Sequence, residues 1–303
     1  MYPVLPVAPL VTRPDATSYG WLVDTLGTDG LAERLAVLDV ALRGLGRVVV
    51  AFSGGADSAF VLAAAARALG TDNVLAATAV SPSLPAVELD AARAFAASLG
   101  VRHRTPTTDE LSRDGYVANA GDRCFFCKAE LLDVLRPLAE AEGIAHIATG
   151  TNADDVVAGF RPGIRAAAER RAVMPLADAG VTKAQVRAAS RAWGLVTWDK
   201  PQAACLSSRI AYGVSITPHG LARVERAERA LRSSLVDAGH AVRDLRVRDL
   251  GDDRARIEVD HELVDVAGLH LGAVEGFTTV EVDPRGFRSG AMNELLADPA
   301  IYQ

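Results

Sequence analysis

Val48-Val49-Val50-Ala51-Phe52-Ser53-Gly54-Gly55-Ala56-Asp57-Ser58 is the stretch on which the fold turns. A short valine-rich run that ends in glycine reads as a buried strand of a parallel sheet. From Ser58 to Ala66 the residues turn to strong helix formers. Strand, glycine turn and helix start together present a group of backbone N–H donors, and the helix dipole adds about half a positive charge there. Glycine lets an anion approach the backbone, and the hydroxyls of Ser53 and Ser58 can add donors. The expected ligand is a phosphate or pyrophosphate; the plain alternative is a strand-to-helix turn that happens to hold two glycines. No lysine follows Gly55, so the Walker pattern of P-loop kinases is absent.

Outward from this stretch the same grammar repeats. Leu31, Leu35, Leu38 and Leu42 recur at helical spacing and predict an amphipathic helix ahead of the first strand. Val74 to Val80 predicts a second strand, broken by Ser81-Pro82-Ser83-Leu84-Pro85, and Ala86 to Leu99 a helix ended by Gly100. Val101 to Thr105 and Ala145 to Thr149 predict two more strands. The alternation implies an α/β fold with a parallel sheet and right-handed crossovers. Ligands of such sheets bind at the carboxyl ends of the strands, where Ser53 and Ser81 fall. After Gly213 the pattern changes. Thr217 and Pro218 open a helix to about Leu235; strands are predicted over 243–250, 254–259 and 277–282, with a helix around 260–271. Residues 1–20 hold four prolines and predict an extended arm. The expected organisation is that arm, a phosphate-binding α/β domain over 21–205, and a smaller α+β domain over 206–303.

Composition narrows the function classes. A chain of 303 residues, 50% hydrophobic, can bury a sizeable core. A net charge of −6 offers no overall basic surface for nucleic acid. No apolar run approaches the roughly 18–20 residues of a membrane span, and the N-terminus lacks the basic and apolar regions of a signal peptide. Three cysteines do not make a disulfide scaffold at this length. A cytoplasmic enzyme is expected.

Cys124-Phe125-Phe126-Cys127 leads into a helix with Leu131, Leu132, Leu135 and Leu138 apolar. A lone CxxC fits a redox pair, half a zinc site, part of an iron–sulfur site, or chance packing. Gly150-Thr151-Asn152-Ala153-Asp154-Asp155 follows a strand, and its two acids suit Mg²⁺ or nucleotide hydroxyls, or else a helix cap. Residues 159–163 read as a loop carrying Arg161, and Thr182 with Gln185 forms a capping box for a helix to Trp193. Trp198 to Gly213 reads as a loop carrying Cys205, Ser207, Ser208 and Arg209, which invites a functional role; a buried packing cysteine is the alternative. Arg246 and Arg248 alternate onto one strand face, as phosphate or carboxylate ligands or as a solvated pair. Glu225 and Glu228 share a helix, as ligands of a second metal or as a charged face.

SGGADS at 53–58 resembles the signature of the PP-loop ATP pyrophosphatases, which split ATP between the α and β phosphates and adenylate their substrates. With GTNADD at 150–155, FRPG at 160–163, WDKP at 198–201, ACLSSRI at 204–210, YG at 212–213 and FRSGAMN at 287–293, the chain resembles the LarE family. These are ATP-dependent sulfurtransferases acting on pyridinium-3,5-biscarboxylic acid mononucleotide, on the route to the nickel-pincer nucleotide of lactate racemase. The matches run from about residue 47 to 295, and one departure is Ala291, where a serine is expected.

The resemblance implies that ATP lies on Ser53, Gly54, Gly55, Asp57 and Ser58, with its base near Val80 and Ser81 and further contacts from Gly150, Thr151 and Asn152. Asp57 and Asp154 would hold Mg²⁺. Ser208, Arg209, Arg246, Arg248 and Arg288 would take the phosphate and carboxylates of the mononucleotide. In sacrificial members the cysteine matching Cys205 gives up its own sulfur. This chain, with Cys124 and Cys127 as well, resembles the subset in which three cysteines hold a [4Fe–4S] cluster that carries sulfide; zinc with a histidine, or a disulfide, stay open. A sulfide donor and a homo-oligomer are implied too. Two rival classes are a PP-loop tRNA thiolase and a non-enzymatic nucleotide-binding iron–sulfur scaffold.

Overall fold

The computed structural model describes residues 30–159, 161–201, 205–288 and 290–295. The expected arm over 1–20, together with Phe160, Gln202 to Ala204 and Ser289, lies outside them. In chain order the elements are α1 (Leu31–Leu45), β1 (Val48–Ala51), α2 (Ala56–Leu69), β2 (Val74–Ala77), α3 (Ala86–Ser98), β3 (Arg102–Arg104), α4 (Asp114–Val117), α5 (Arg123–Ala141), β4 (His146–Ala148), α6 (Ala153–Val157), α7 (Pro162–Glu169), α8 (Pro175–Asp178), α9 (Lys183–Ala192), α10 (Pro218–Asp237), β5 (Leu245–Asp249), β6 (Arg254–Val259), α11 (Val264–Gly268) and β7 (Thr279–Val282). They form two compact units, neither a continuous stretch. Of the described residues, the first gathers those over 30–80, 86–108 and 128–201; the second gathers those over 81–85, 109–127 and 205–295.

The first unit is the expected α/β fold. Its sheet has the order β3-β2-β1-β4, every pair parallel, with Val48 opposite both Val74 and His146. Every residue of β1 and β2 is buried, because side chains alternate between two covered faces. Val48, Val50, Phe52, Val74 and Ala76 pack with the leucines of α1 and with Phe60, Leu62 and Phe95. Val49, Ala51, Leu75 and Ala77 pack on the other side with Leu132, Leu135 and Ile147. The four leucines of α1 are buried, as their spacing requires.

The second unit carries the sheet β5-β6-β7, in which β5 runs antiparallel to β6 and β6 parallel to β7. Leu245, Val247, Ile257 and Val259 pack against Leu231 and Leu235 of α10. A separate cluster joins Tyr116, Leu206, Ile210, Ile216, Leu221 and Val224. Two expectations are corrected. The loop over 159–163 gives way to helix at Pro162, whose ring presets the first helical φ. The single helix around 260–271 is a 3₁₀ turn, His261–Leu263, and then the short α11; two β-branched valines and Gly268 are weak helix formers. Among the described residues no helix is long and apolar enough to cross a membrane.

Candidate functional site

At the carboxyl end of β1 the chain turns through Gly54, at a φ of +75° that favours glycine, and enters α2 with no side chain capping the helix. Ser58 ties the turn together: its Oγ donates to the Gly55 carbonyl at 3.1 Å and lies 3.1 Å from Ser53 Oγ. The loop after β4 closes on the same point. A Cβ on Gly150 would stand 2.7 Å from Ser58 N and 2.9 Å from its Cα, so only glycine admits this approach. Thr151 Oγ1 lies 3.2 Å from Thr149 Oγ1. Asn152 caps α6, accepting from the N–H groups of Asp154 and Asp155. Behind the turn, Thr78 Oγ1 donates to the Phe52 carbonyl at 2.6 Å and meets His103 Nε2 at 2.8 Å. Burial, and then the charge of Arg93, hold His103 below the ordinary histidine range.

Charge at this site is paired with care. Asp57 Oδ2 accepts from Lys183 Nζ at 2.5 Å, while its Oδ1 is buried with no hydrogen-bond partner. A carboxylate oxygen in that state is a ready cation ligand. Asp154 Oδ2 accepts from the Lys183 N–H at 2.8 Å. Asp155 completes the capping box on the Asn152 N–H, which is the cap reading of that residue. Lys200 Nζ donates to the Gly54 carbonyl at 3.0 Å and to Glu88 at 2.6 Å. Sequence reasoning gave no role to Lys183, Lys200 or Glu88; Lys200 stood inside the WDKP motif as its one visible sign.

The first unit therefore brings together Ser53, Gly54, Gly55, Asp57, Ser58, Gly150, Thr151, Asn152 and Asp154. Val80 continues the second strand as a bridge to Thr107, and its N–H donates to the Pro106 carbonyl. Ser81, counted with the second unit, meets Ser83 Oγ at 2.9 Å.

The second unit holds all three cysteines, with Cys124 exposed and Cys127 and Cys205 half-buried. Cys124 and Cys127 lie within the first turns of α5 rather than ahead of it. A buried polar network fixes this segment to the loop after Cys205. Asn119, at a φ of +52°, gives its Nδ2 to the carbonyls of Ile210, Ala211 and Val214. Its Oδ1 accepts from Arg123, which also donates to the Ser207 carbonyl at 3.0 Å. Tyr116 Oη lies 2.5 Å from Ser207 Oγ. Burial raises the Tyr116 pKa, and the charges of Cys205 and Cys127 push the same way. For Arg123, burial is outweighed by attraction to Cys124 and Cys205, and its pKa is raised. One tyrosine and one arginine thus feel all three sulfurs. Asn119, Arg123 and Tyr116 carried no sequence signal beyond lying near the CxxC.

Arg246 and Arg248 are buried, at 7% and 5% exposure, so the solvated-pair reading is set aside. Arg248 pairs with Glu258 at 2.7 Å and donates to the Ser208 carbonyl, leaving its buried Nε without a partner. Arg209 pairs with Glu228 at 2.8 Å and donates to the Cys205 carbonyl at 3.1 Å. Glu228 also accepts from the Val247 N–H, which replaces both readings of it as a metal ligand and as a solvated face. Arg246 stands over the Phe287 ring at 5.1 Å. Burial, then Arg209 and Arg248, pull its pKa down to about 10. This concentration of buried cation suits an anionic ligand. Arg288 pairs with Glu294. Among the described residues no three histidine, cysteine or acidic side chains gather about one point, for zinc or for a cluster alike.

Compared with known proteins, the NAD synthase family matches residues 35–114. An uncharacterised protein of Synechocystis is 42% identical over 260 residues, 83% of this chain and 94% of that protein. The pyridinium-3,5-bisthiocarboxylic acid mononucleotide synthase of Lactiplantibacillus plantarum is 36% identical over 273 residues, 88% of this chain and 96% of the synthase. An uncharacterised protein of Methanocaldococcus jannaschii is 25% identical over 217 residues. At the identity shared with the Lactiplantibacillus synthase, held over nearly the whole of both chains, this chain belongs to the LarE family of PP-loop proteins.

Proposed function

We propose that the protein is an ATP-dependent sulfurtransferase acting on pyridinium-3,5-biscarboxylic acid mononucleotide, for nickel-pincer nucleotide synthesis. What carries the reading is the uncapped glycine turn with the unpartnered Asp57 Oδ1 beside it, in a chain similar along its length to the synthase. ATP sits with its phosphates on Ser53 to Ser58. Asp57 and Asp154 would hold Mg²⁺, which supplies charge neutralisation at the phosphates. A substrate carboxylate attacks the α-phosphorus; the bond to the β-phosphate oxygen breaks, and pyrophosphate leaves. Arg209, Arg246 and Arg248 hold the mononucleotide's anionic groups. The acyl-adenylate carbonyl is then electrophilic, sulfur attacks it, and AMP departs with the electron pair of the broken C–O bond.

For the sulfur, Cys124, Cys127 and Cys205 are soft ligands of the type a [4Fe–4S] cluster would take, in one unit and with the buried charge of Arg123 near Cys124 and Cys205, although among the described residues they do not gather about one point. Such a cluster supplies sulfide. A second reading has its own observation, the lack of three ligands about one ion among the described residues. Here the Cys205 thiol attacks the acyl-adenylate, a base removes its α-proton, and elimination leaves dehydroalanine and the thiocarboxylate. Intact mass after turnover, read beside product per polypeptide, separates the two. An unchanged mass with many sulfurs delivered supports the first; a chain lighter by one hydrogen sulfide after a single transfer supports the second. Pyrophosphate release that needs no carboxylate acceptor would remove adenylation from both.

A further inference from the structure

We propose that Lys200 is a phosphate ligand of the glycine loop and that Glu88 restrains it, setting how tightly the loop holds pyrophosphate. The proposal rests on the nucleotide reading of that loop and names two residues of its machinery that the motif does not contain.

Three observations carry it. First, the Lys200 ammonium sits against the loop itself: it donates to the Gly54 carbonyl at 3.0 Å, and a Cβ on Gly54 would lie 3.8 Å from it. The ammonium thus lies beside the backbone to which phosphate oxygens would bind. Second, an ammonium has three protons, and two of these are committed, to Gly54 and to Glu88 at 2.6 Å. Among the described residues the third meets no acceptor, which leaves it for an anion. Third, the lysine is held in place by its own main chain. Arg187 donates to the Trp198 and Lys200 carbonyls, each at 3.0 Å, and the Lys200 N–H donates to Thr197. An ammonium anchored at both ends of its side chain loses little freedom on meeting a ligand.

Glu88 explains why the cation is not simply a clamp. Lys200 and Glu88 are each 20% exposed, so their attraction is only partly screened. While Glu88 is ionised the pair is close to neutral, and the lysine grips pyrophosphate less tightly than a lone ammonium would. An enzyme that makes pyrophosphate beside this loop must also release it, and an unrestrained lysine would slow that step.

The test is calorimetric binding of inorganic pyrophosphate and of Mg·ATP to the full chain. Lys200→Met should weaken pyrophosphate roughly ten- to a hundred-fold, the scale of a lost charge-assisted contact. Lys200→Arg should keep most of the affinity. Glu88→Gln should act in the opposite direction and tighten pyrophosphate roughly three- to ten-fold. In the Lys200→Met background that gain should fall below about two-fold, because Glu88 works through the lysine. A Glu88→Gln protein that binds pyrophosphate no more tightly overturns the proposal, as does an equal gain in both backgrounds. If Lys200→Met does not fold, Lys200→Arg and Glu88→Gln still decide. Wild-type protein that binds neither ligand would sink the nucleotide reading itself, whereas wild-type binding without these signs sinks only the lysine assignment.

Discussion

The glycine loop and the cysteine region are built by opposite means. Around Ser53 to Ser58 the chemistry is local: six consecutive residues supply the turn, the hydroxyls and the helix start, and the sheet only has to place them. Around the cysteines nothing is local. Tyr116 and Ser207 are 91 positions apart, and Asn119 reaches carbonyls 91, 92 and 95 positions away. The first region keeps one buried oxygen, Asp57 Oδ1, without a partner beside an uncapped helix start. The second holds its shape because its polar atoms are used up. The loop proposed for nucleotide and the segment proposed for sulfur would have different needs, and each lies within its own unit.

Glycine substitutions test the first half of this contrast most severely. Gly150→Val should cost the first unit more than about 3 kcal/mol, since the new side chain meets backbone at 2.7 Å and backbone cannot swing aside. Gly55→Val is the informative partner: a Cβ there meets only Ser53 Oγ, at 3.5 Å. That variant should melt near wild type yet lose Mg·ATP binding, because its side chain occupies the space of the phosphate. Retained ATP affinity in a folded Gly55→Val protein would take the loop out of the site.

Asn119→Ala probes the other half. Two buried carbonyls, a part-buried third and Arg123 lose a partner, and alanine is strained at a φ of +52°; the expected loss is about 2–4 kcal/mol. Cys205 should become more accessible to alkylation, while Mg·ATP affinity stays within about two-fold of wild type. An equal loss of nucleotide binding would show that the two regions are not energetically separate.

The smallest effect expected is at His103, which supports the turn through Thr78. Its folded pKa is depressed by burial and by Arg93, so the unfolded chain takes up a proton that the folded ring refuses. The neutral ring contributes stability above about pH 6.5, and that contribution is lost as pH falls through the folded value. His103→Gln should flatten denaturant midpoints between about pH 7 and pH 5. A midpoint slope unchanged from wild type would show that this histidine does not set it.

Legibility follows the same division. The leucine spacing of α1, the valine run of β1 and the glycine turn each state their structure within a few residues, and the parallel α/β class follows from their alternation; the sheet order does not, because the long connection from β3 carries β4 past β2 to the far side of β1. The site's guarded lysines were not legible, because a lysine shows its partner only in three dimensions. Arg246 and Arg248 misled in a related way. Alternation put them on one face of β5, which usually means solvent, but Glu228 and Glu258 arrive from α10 and β6 to bury them. Asn119 was invisible for a simpler reason: one residue that pins a distant loop leaves no periodic trace.

Synthesis on the ribosome meets the discontinuous second unit in a particular order. Residues 109–127 emerge well before Ser207 and the loop they pin. At ~5–20 residues per second, the 91 positions between Tyr116 and Ser207 take on the order of ten seconds to appear. Through that interval Cys124 and Cys127 are in the nascent chain without Cys205, and Asn119 has none of its three acceptors. The cysteine site can therefore be completed only late in translation, after most of the first unit has already left the exit tunnel.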